Sequence, residues 1–206
     1  MAEYKTVRQA AEFVYGEKRS RFISCVFPVS TESEVLEIIA KRKSETFGAR
    51  HNVYAYILRD NNITRYSDDG EPHSTAGIPT LDVLKKSGLT DCLVVTTLYF
   101  GGVLLGTGGL VRAYTAAAVG AVEAAGVALM RECYSCRVVC HYSDHRQVER
   151  TIADCGGKIN GSEFTDSVEV SFSIVAFNFE KLCEKFHEVF CGKLVPEVKE
   201  SIFDEV

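Results

Sequence analysis

The stretch from Cys92 to Ala125, CLVVTTLYFGGVLLGTGGLVRAYTAAAVGAVEAA, decides how the first half of the chain is read. Cys92 to Phe100 is a continuous apolar run, with four β-branched residues from Val94 to Thr97. Such a run predicts a strand buried on both faces. GGVLLGTGG follows, and then an alanine-rich helix from about Leu110 to Ala125, closed near Gly126. Strand, glycine loop and helix in this order place free N–H groups and an approachable backbone at the helix start, where anions are favoured.

Working back from that stretch, Lys5 to Val29 reads as short strands ending in the β-rich run Arg21 to Phe27. Thr31 and Glu34 form a T-x-x-E capping box, with Val35, Ile38 and Ile39 at helical spacing behind it. Asn52 to Arg59 is β-prone, and Asn61-Asn62 turns the chain into a partner strand, Ile63 to Ser67. A polar loop, DDGEPHSTAG, leads to a helix with Pro79 in its first turn and Gly88 at its stop.

Beyond Arg131 the pattern changes. Strands are predicted over Glu132–Tyr142, Lys158–Phe164, Ser167–Val175 and Leu194–Phe203, with helices over Asp144–Cys155 and Phe179–Cys191. The order βαββαβ is that of the ferredoxin-like split motif. The expected fold class is therefore α+β, with domains over 1–128 and 132–206.

The totals set outer bounds. The 206 residues carry a net charge of −5, and Leu129–Val206 holds all of the excess, with 9 basic against 14 acidic side chains. A broad nucleic-acid-coating surface is thus disfavoured, and a phosphate-binding face, if present, belongs to the balanced first half. The start, MAEYKTVRQA, is charged and lacks the apolar core of a secretory signal. The apolar run Ala116–Met130 is too short to span a bilayer. No membrane partner and a cytoplasmic location are expected. The eight scattered cysteines then read as reduced, buried thiols.

Two loops carry the candidate chemistry. In Gly101–Gly109, the glycines Gly101, Gly102, Gly106, Gly108 and Gly109 allow close ligand approach, and Arg112 in the first helical turn could grip phosphate or carboxylate. The loop lacks the Gly-Lys-Ser/Thr end of a P-loop, and Val111 stands where G-x-G-x-x-G needs its last glycine. A tight turn with close helix–strand packing is the favoured reading of the loop taken alone, ahead of anion binding. In Asp68-Asp69-Gly70-Glu71, three carboxylates in four residues could hold a hard cation, yet capping the next helix is favoured and no fixed metal geometry follows. His51, flanked by Arg50 and Asn52, reads as a hydrogen-bonded structural residue. No G-x-S-x-G elbow supports a hydrolase. Cys133, Cys136, Cys140, His141 and His145 are spaced like zinc ligands, but strand alternation sends Cys133 and His141 away from Cys136 and Cys140. The basic cluster Lys18-Arg19-Ser20-Arg21 opens a strand and could meet phosphates, whereas Lys41-Arg42-Lys43 is a solvated helix side.

SDDGEPHSTAGIPTLDVL, VVTTLYFGG and GTGGLVRAYTAA, with KRSRFIS and ARHNVYAYIL in the same order, together resemble the IMPACT family in its bacterial YigZ type. The resemblance covers residues 15 to 120, and the βαββαβ tail is similar to the family's second bacterial domain and to domains of elongation factor G. It implies a first domain of the ribosomal-protein/GHMP-kinase type, a mixed α/β sandwich with a four-stranded sheet. It also implies regulation of translation through RNA, ribosome or a ribosome-associated protein, without an established reaction or a cofactor. Carried across residue by residue, the motifs mark Arg21, His51, Asn52, Asp68, Asp69, Gly70, Glu71, Thr75, Gly77, Gly101, Gly102, Gly106, Gly108, Gly109, Arg112 and Tyr114. Two departures stand out. Leu98 occupies the place of a usual arginine before Tyr-Phe-Gly-Gly, and His73-Ser74-Thr75 replaces a usual small-Gly-Thr.

Overall fold

The computed structural model describes residues 3–205. It divides into two compact units, Lys5–Ala128 and, among the described residues, 129–205 together with Glu3 and Tyr4. Each has its own sheet, giving a mixed α+β architecture.

The first sheet is built from β2 (Ala11–Glu17), β3 (Ser20–Pro28), β4 (His51–Leu58), β5 (Ile63–Ser67) and β6 (Cys92–Tyr99). Its order is β2-β3-β6-β4-β5, and every pairing is antiparallel. The apolar run of β6 takes the middle position, and its residues Cys92 to Val95 are fully buried, as a strand covered on both faces requires. The sheet has five strands where four were expected, because β2 and β3 form a hairpin whose turn, Lys18-Arg19, has both residues at positive φ. That geometry suits the right-handed twist of the two strands it joins.

Three helices cover this sheet. On one face, Val35 and Ile39 of α1 (Glu32–Glu45) pack with Tyr56, Leu58, Leu93 and Val95. On the other, α2 (Gly77–Lys86) and α3 (Thr107–Ala125) pack against Phe22, Val26, Val53, Val94 and Leu98. The start of α1 follows its local signal. Thr31 Oγ1 accepts from Glu34 N at 3.3 Å, and the Glu34 carboxylate reaches back to Ser30 N at 2.9 Å. Helix α3 begins at Thr107, earlier than its Leu110 expectation, because Gly106 at φ 71° turns the chain directly into the helix.

In the second unit, β7 (Val127–Cys140) is followed by α4 (His145–Asp154), β8 (Lys158–Phe164), β9 (Val168–Val175), α5 (Phe179–Phe190) and β10 (Glu197–Asp204). The strands lie in the order β10-β7-β9-β8, all antiparallel, with β1 (Glu3–Val7) also along β7. β7 starts five residues before its expected Glu132, so the chain passes from one unit to the other inside a strand. Val148, Ile152, Leu182 and Phe186 of the two helices cover Cys136, Val138, Val170, Phe172 and Ile174 on one face of the sheet. Six of the eight cysteines are buried, and none is disulfide-bonded. Among the described residues no group of three or more histidine, cysteine or carboxylate side chains could hold a metal, and no helix is long and apolar enough to cross a membrane.

Candidate functional site

Three strand ends meet at one edge of the first sheet. Ser20 opens β3, His51 opens β4, and β6 runs out at Leu98 and Tyr99, with His51 paired to Leu98 in register. The acidic loop after β5 and the glycine loop after β6 fold over this edge and enclose a cavity of about 350 Å3. Its lining is apolar at Leu98, Phe100, Leu104, Leu105, Leu110 and Pro72, and polar at Ser20, Arg50, His51, Glu71 and Thr107. A few polar groups in an apolar concavity of this size are the usual makeup of a ligand site.

The acidic loop is held from within. Asp68 accepts from Ser74 N at 2.9 Å, Ala76 N at 3.1 Å and Gly77 N at 2.8 Å, so it satisfies the free amides at the start of α2. Asp69, at φ 46°, accepts from Asn52 N at 2.6 Å and from Lys43 Nζ at 2.7 Å. Asn52 Oδ1 in turn accepts from Thr97 Oγ1 and Thr46 Oγ1, and Thr75 Oγ1 donates to Pro72 O. Both aspartates are thus engaged in shaping the loop. Gly77 is needed for close approach, since a Cβ there would stand 2.8 Å from the Tyr66 ring.

Glu71 is held differently, by Tyr114 Oη donating to Oε1 at 2.8 Å. Burial, and then the Glu71 carboxylate, push the Tyr114 hydroxyl above the ordinary tyrosine range, so it remains a donor. His51 Nδ1 lies 2.7 Å from Asp69 O. A carbonyl oxygen only accepts, so Nδ1 carries a proton, and in the neutral ring Nε2 is then the acceptor.

The glycine loop is anchored to the β2–β3 turn. Gly101 N donates to Ser20 Oγ at 3.0 Å, and a Cβ on Gly101 would stand 2.1 Å from the Arg19 carbonyl carbon. This contact holds Ser20, at the end of the Lys18-Arg19 turn, in the cavity wall, while Lys18, Arg19 and Arg21 do not line it. Gly102 and Gly106 are at positive φ, and no side chain caps α3, whose first turn holds Gly108 and Gly109.

Arg21 and Arg112 are exposed and do not line the cavity. On α3, Leu110 lines the cavity and Tyr114 reaches Glu71. Arg112, two residues from each, projects from the opposite side at about 100° per residue. The guanidinium that does line the cavity belongs to Arg50, which sits 5.4 Å from the centroid of the Phe100 ring. Its only sequence signal was adjacency to His51. Leu98, noted in the sequence as the place of a missing arginine, forms part of the buried floor.

The family model of the Impact N-terminal domain matches residues 18–122, the stretch that builds this cavity. The chain belongs to the IMPACT family. A second model, a domain of unknown function, DUF1949, matches residues 138–193. The IMPACT family member YvyE of Bacillus subtilis is 49% identical over 112 residues, which is 54% of this chain and 52% of that protein, so the match spans about half its length. The IMPACT family member of Haemophilus influenzae is 32% identical over 203 residues, 97% of this chain and 98% of that protein. YigZ of Escherichia coli is 29% identical over 86% of this chain and 88% of its own. A crystal structure of a hypothetical protein superimposes with a TM-score of 0.62 at 28% identity, covering 97% of this chain and 98% of that one.

Proposed function

We propose that this IMPACT family member, of the bacterial YigZ type, is a cytoplasmic regulator of translation. It binds RNA, on or off the ribosome, through the cavity of its first unit, and acts by binding rather than by catalysis. The observation that carries this reading is the meeting of Arg50, Ser20 and the uncapped start of α3 in one cavity, beside the Lys18-Arg19 turn. Cationic side chains and free backbone amides hold phosphates, while an exposed aromatic such as Phe100 offers a face for a base. The reading takes the first unit as the ribosomal-protein/GHMP-kinase type and the second as ferredoxin-like, the latter supported by its β10-β7-β9-β8 order.

Sedimentation with ribosomes, and with ribosome-free RNA, across a salt series tests it. Each phosphate contact on a single strand contributes about −0.7 to the slope of log affinity against log salt. Arg50→Ala is expected to remove roughly one such increment. A flat salt profile contradicts the RNA reading and favours recognition of a ribosome-bound protein.

The alternative, an enzyme or sensor for a small phosphorylated ligand with a cation on the acidic loop, finds fewer ligands than the sequence offered. Asp68 and Asp69 are committed to backbone amides and Lys43.

A further inference from the structure

Beside the Ser20 and Thr107 hydroxyls, which can donate or accept, the cavity is lined by two acceptors, His51 and Glu71, and one strong donor, Arg50. In the neutral ring, with Nδ1 donating to Asp69 O, His51 Nε2 is an acceptor, and it has no partner among the described residues. Glu71 Oε1 is held by Tyr114, while Oε2 has no partner among the described residues. Arg50 supplies the donor, beside the Phe100 ring. Around them stand Leu98, Leu105, Leu110 and Pro72, which offer only apolar surface. An occupant must bring an apolar body and a polar edge with donors to meet Glu71 and His51 and an acceptor to meet Arg50, since polar groups that a ligand covers without matching cost affinity.

Among RNA bases this condition is selective. Adenine offers on its pairing edge one amino donor beside an acceptor nitrogen. Uracil sets one donor between two acceptors, and cytosine one donor beside two acceptors. Guanine alone presents two adjacent donors, N1–H and the N2 amine, next to the O6 acceptor. Unstacked bases in single-stranded RNA are read by hydrogen bonds along this edge and by stacking on aromatic or guanidinium planes. We infer that the cavity binds an unstacked guanine base. The Glu71 carboxylate accepts from N1–H and N2–H, Arg50 donates to O6, and His51 Nε2 accepts the second N2 hydrogen. The volume of about 350 Å3 lies at the small end of ligand cavities, roughly 300–1,000 Å3, and suits one nucleoside rather than a run of bases. This assignment rests on the RNA reading above and adds a base preference to it.

The test is fluorescence anisotropy with single-stranded oligouridylates carrying one central guanosine, inosine or adenosine, at two salt concentrations. The guanosine oligomer is expected to bind about tenfold more tightly than the adenosine one, with inosine between them because it lacks the N2 amine. Glu71→Gln is expected to bring the guanosine oligomer down to the adenosine value, since an amide sets a donor against N1–H. The inosine arm alters only the RNA, so the test stands even if the variant folds poorly. Equal affinity for all three oligomers, with steep salt dependence, overturns the guanine site and leaves RNA binding in place. A preference that survives Glu71→Gln also overturns it. Salt-insensitive or undetectable binding of every oligomer removes both readings.

Discussion

Tyr114 Oη donates to Glu71 Oε1 at 2.8 Å, joining the alanine-rich helix to the acidic loop across 43 positions of sequence. The Tyr114 ring is fully buried and meets Phe22 edge-on, with centroids 5.0 Å apart. Its position is therefore set by the core, and the hydroxyl fixes the carboxylate rather than the reverse. A loop rich in turn residues thus gains one rigid contact at the side chain that lines the cavity.

Tyr114→Phe is expected to destabilise the first unit by about 1.5–3 kcal/mol, the range for a hydrogen bond to a charged acceptor. The ring and its packing are kept, so the urea midpoint should fall without a change of slope. Amide exchange should quicken over Asp68–Thr75 more than in the sheet. An unchanged midpoint and unchanged loop exchange contradict this account of Glu71.

Asp68 is expected to behave as a helix cap and not as a metal ligand. Asp68→Ala removes the acceptor of three amides, at Ser74, Ala76 and Gly77, and should cost at least about 1–2 kcal/mol. Asp68→Asn keeps an acceptor oxygen and should cost less. Magnesium should leave the melting temperatures of the parent and both variants unshifted. A rise of several degrees in the parent alone contradicts the capping role.

What could be read in advance followed the range of the interactions. The Thr31–Glu34 box is local, and it forms a helix start as read. The buried character of β6 is carried by its own apolar run, and so was equally plain. The cavity is a different matter. Arg50, Ser20, Phe100 and Leu104 meet only because three strand ends share one edge of the sheet, which no local pattern encodes. The outward direction of Arg112 was readable, since helical period sets it across from Leu110 and Tyr114 once a helix is drawn through the glycines. The Gly108-Gly109 pair hid that first turn, because glycine disfavours helix interiors while the turn is fixed by Gly106 and by Leu105 against Gly109.

Stability is expected to hold to about pH 8.5 and then decline. Burial pushes the Cys25, Cys92 and Cys136 thiols up to about 12, and burial with the Glu32 carboxylate does the same for the Tyr56 hydroxyl. In each case the folded state keeps a proton that the unfolded chain has already released. The unfolded state then binds fewer protons, and stability falls as pH rises. The contribution is whole below the ordinary thiol and phenol values and is lost progressively towards pH 12. Urea midpoints at pH 8, 9.5 and 11 check this, and equal midpoints would contradict it. Tyr56→Phe should flatten the part of the decline above pH 10.

Three glycine-to-alanine changes separate space from backbone conformation. At Gly101 the added methyl would stand 2.1 Å from the Arg19 carbonyl carbon and 2.5 Å from Ser20 N, atoms of a paired turn that cannot rotate away. The strain should be at least about 1–3 kcal/mol, and the Gly101–Ser20 hydrogen bond should be lost with it. At Gly102 nothing lies within 4 Å, but φ is 84°, so alanine pays only the left-handed penalty of about 1–2 kcal/mol. At Gly16, on the same hairpin, the space is open and φ is ordinary, so alanine should fall within about 0.5 kcal/mol of the parent. The order of urea midpoints should be Gly101→Ala below Gly102→Ala below Gly16→Ala. RNA affinity at fixed salt should fall most for Gly101→Ala, because displacing the Lys18-Arg19 turn moves Ser20, which lines the cavity, together with the basic residues next to it in the chain. If Gly101→Ala is stable and binds as the parent does, the glycine loop is not what sets that turn, and the electrostatic half of the functional reading loses its support.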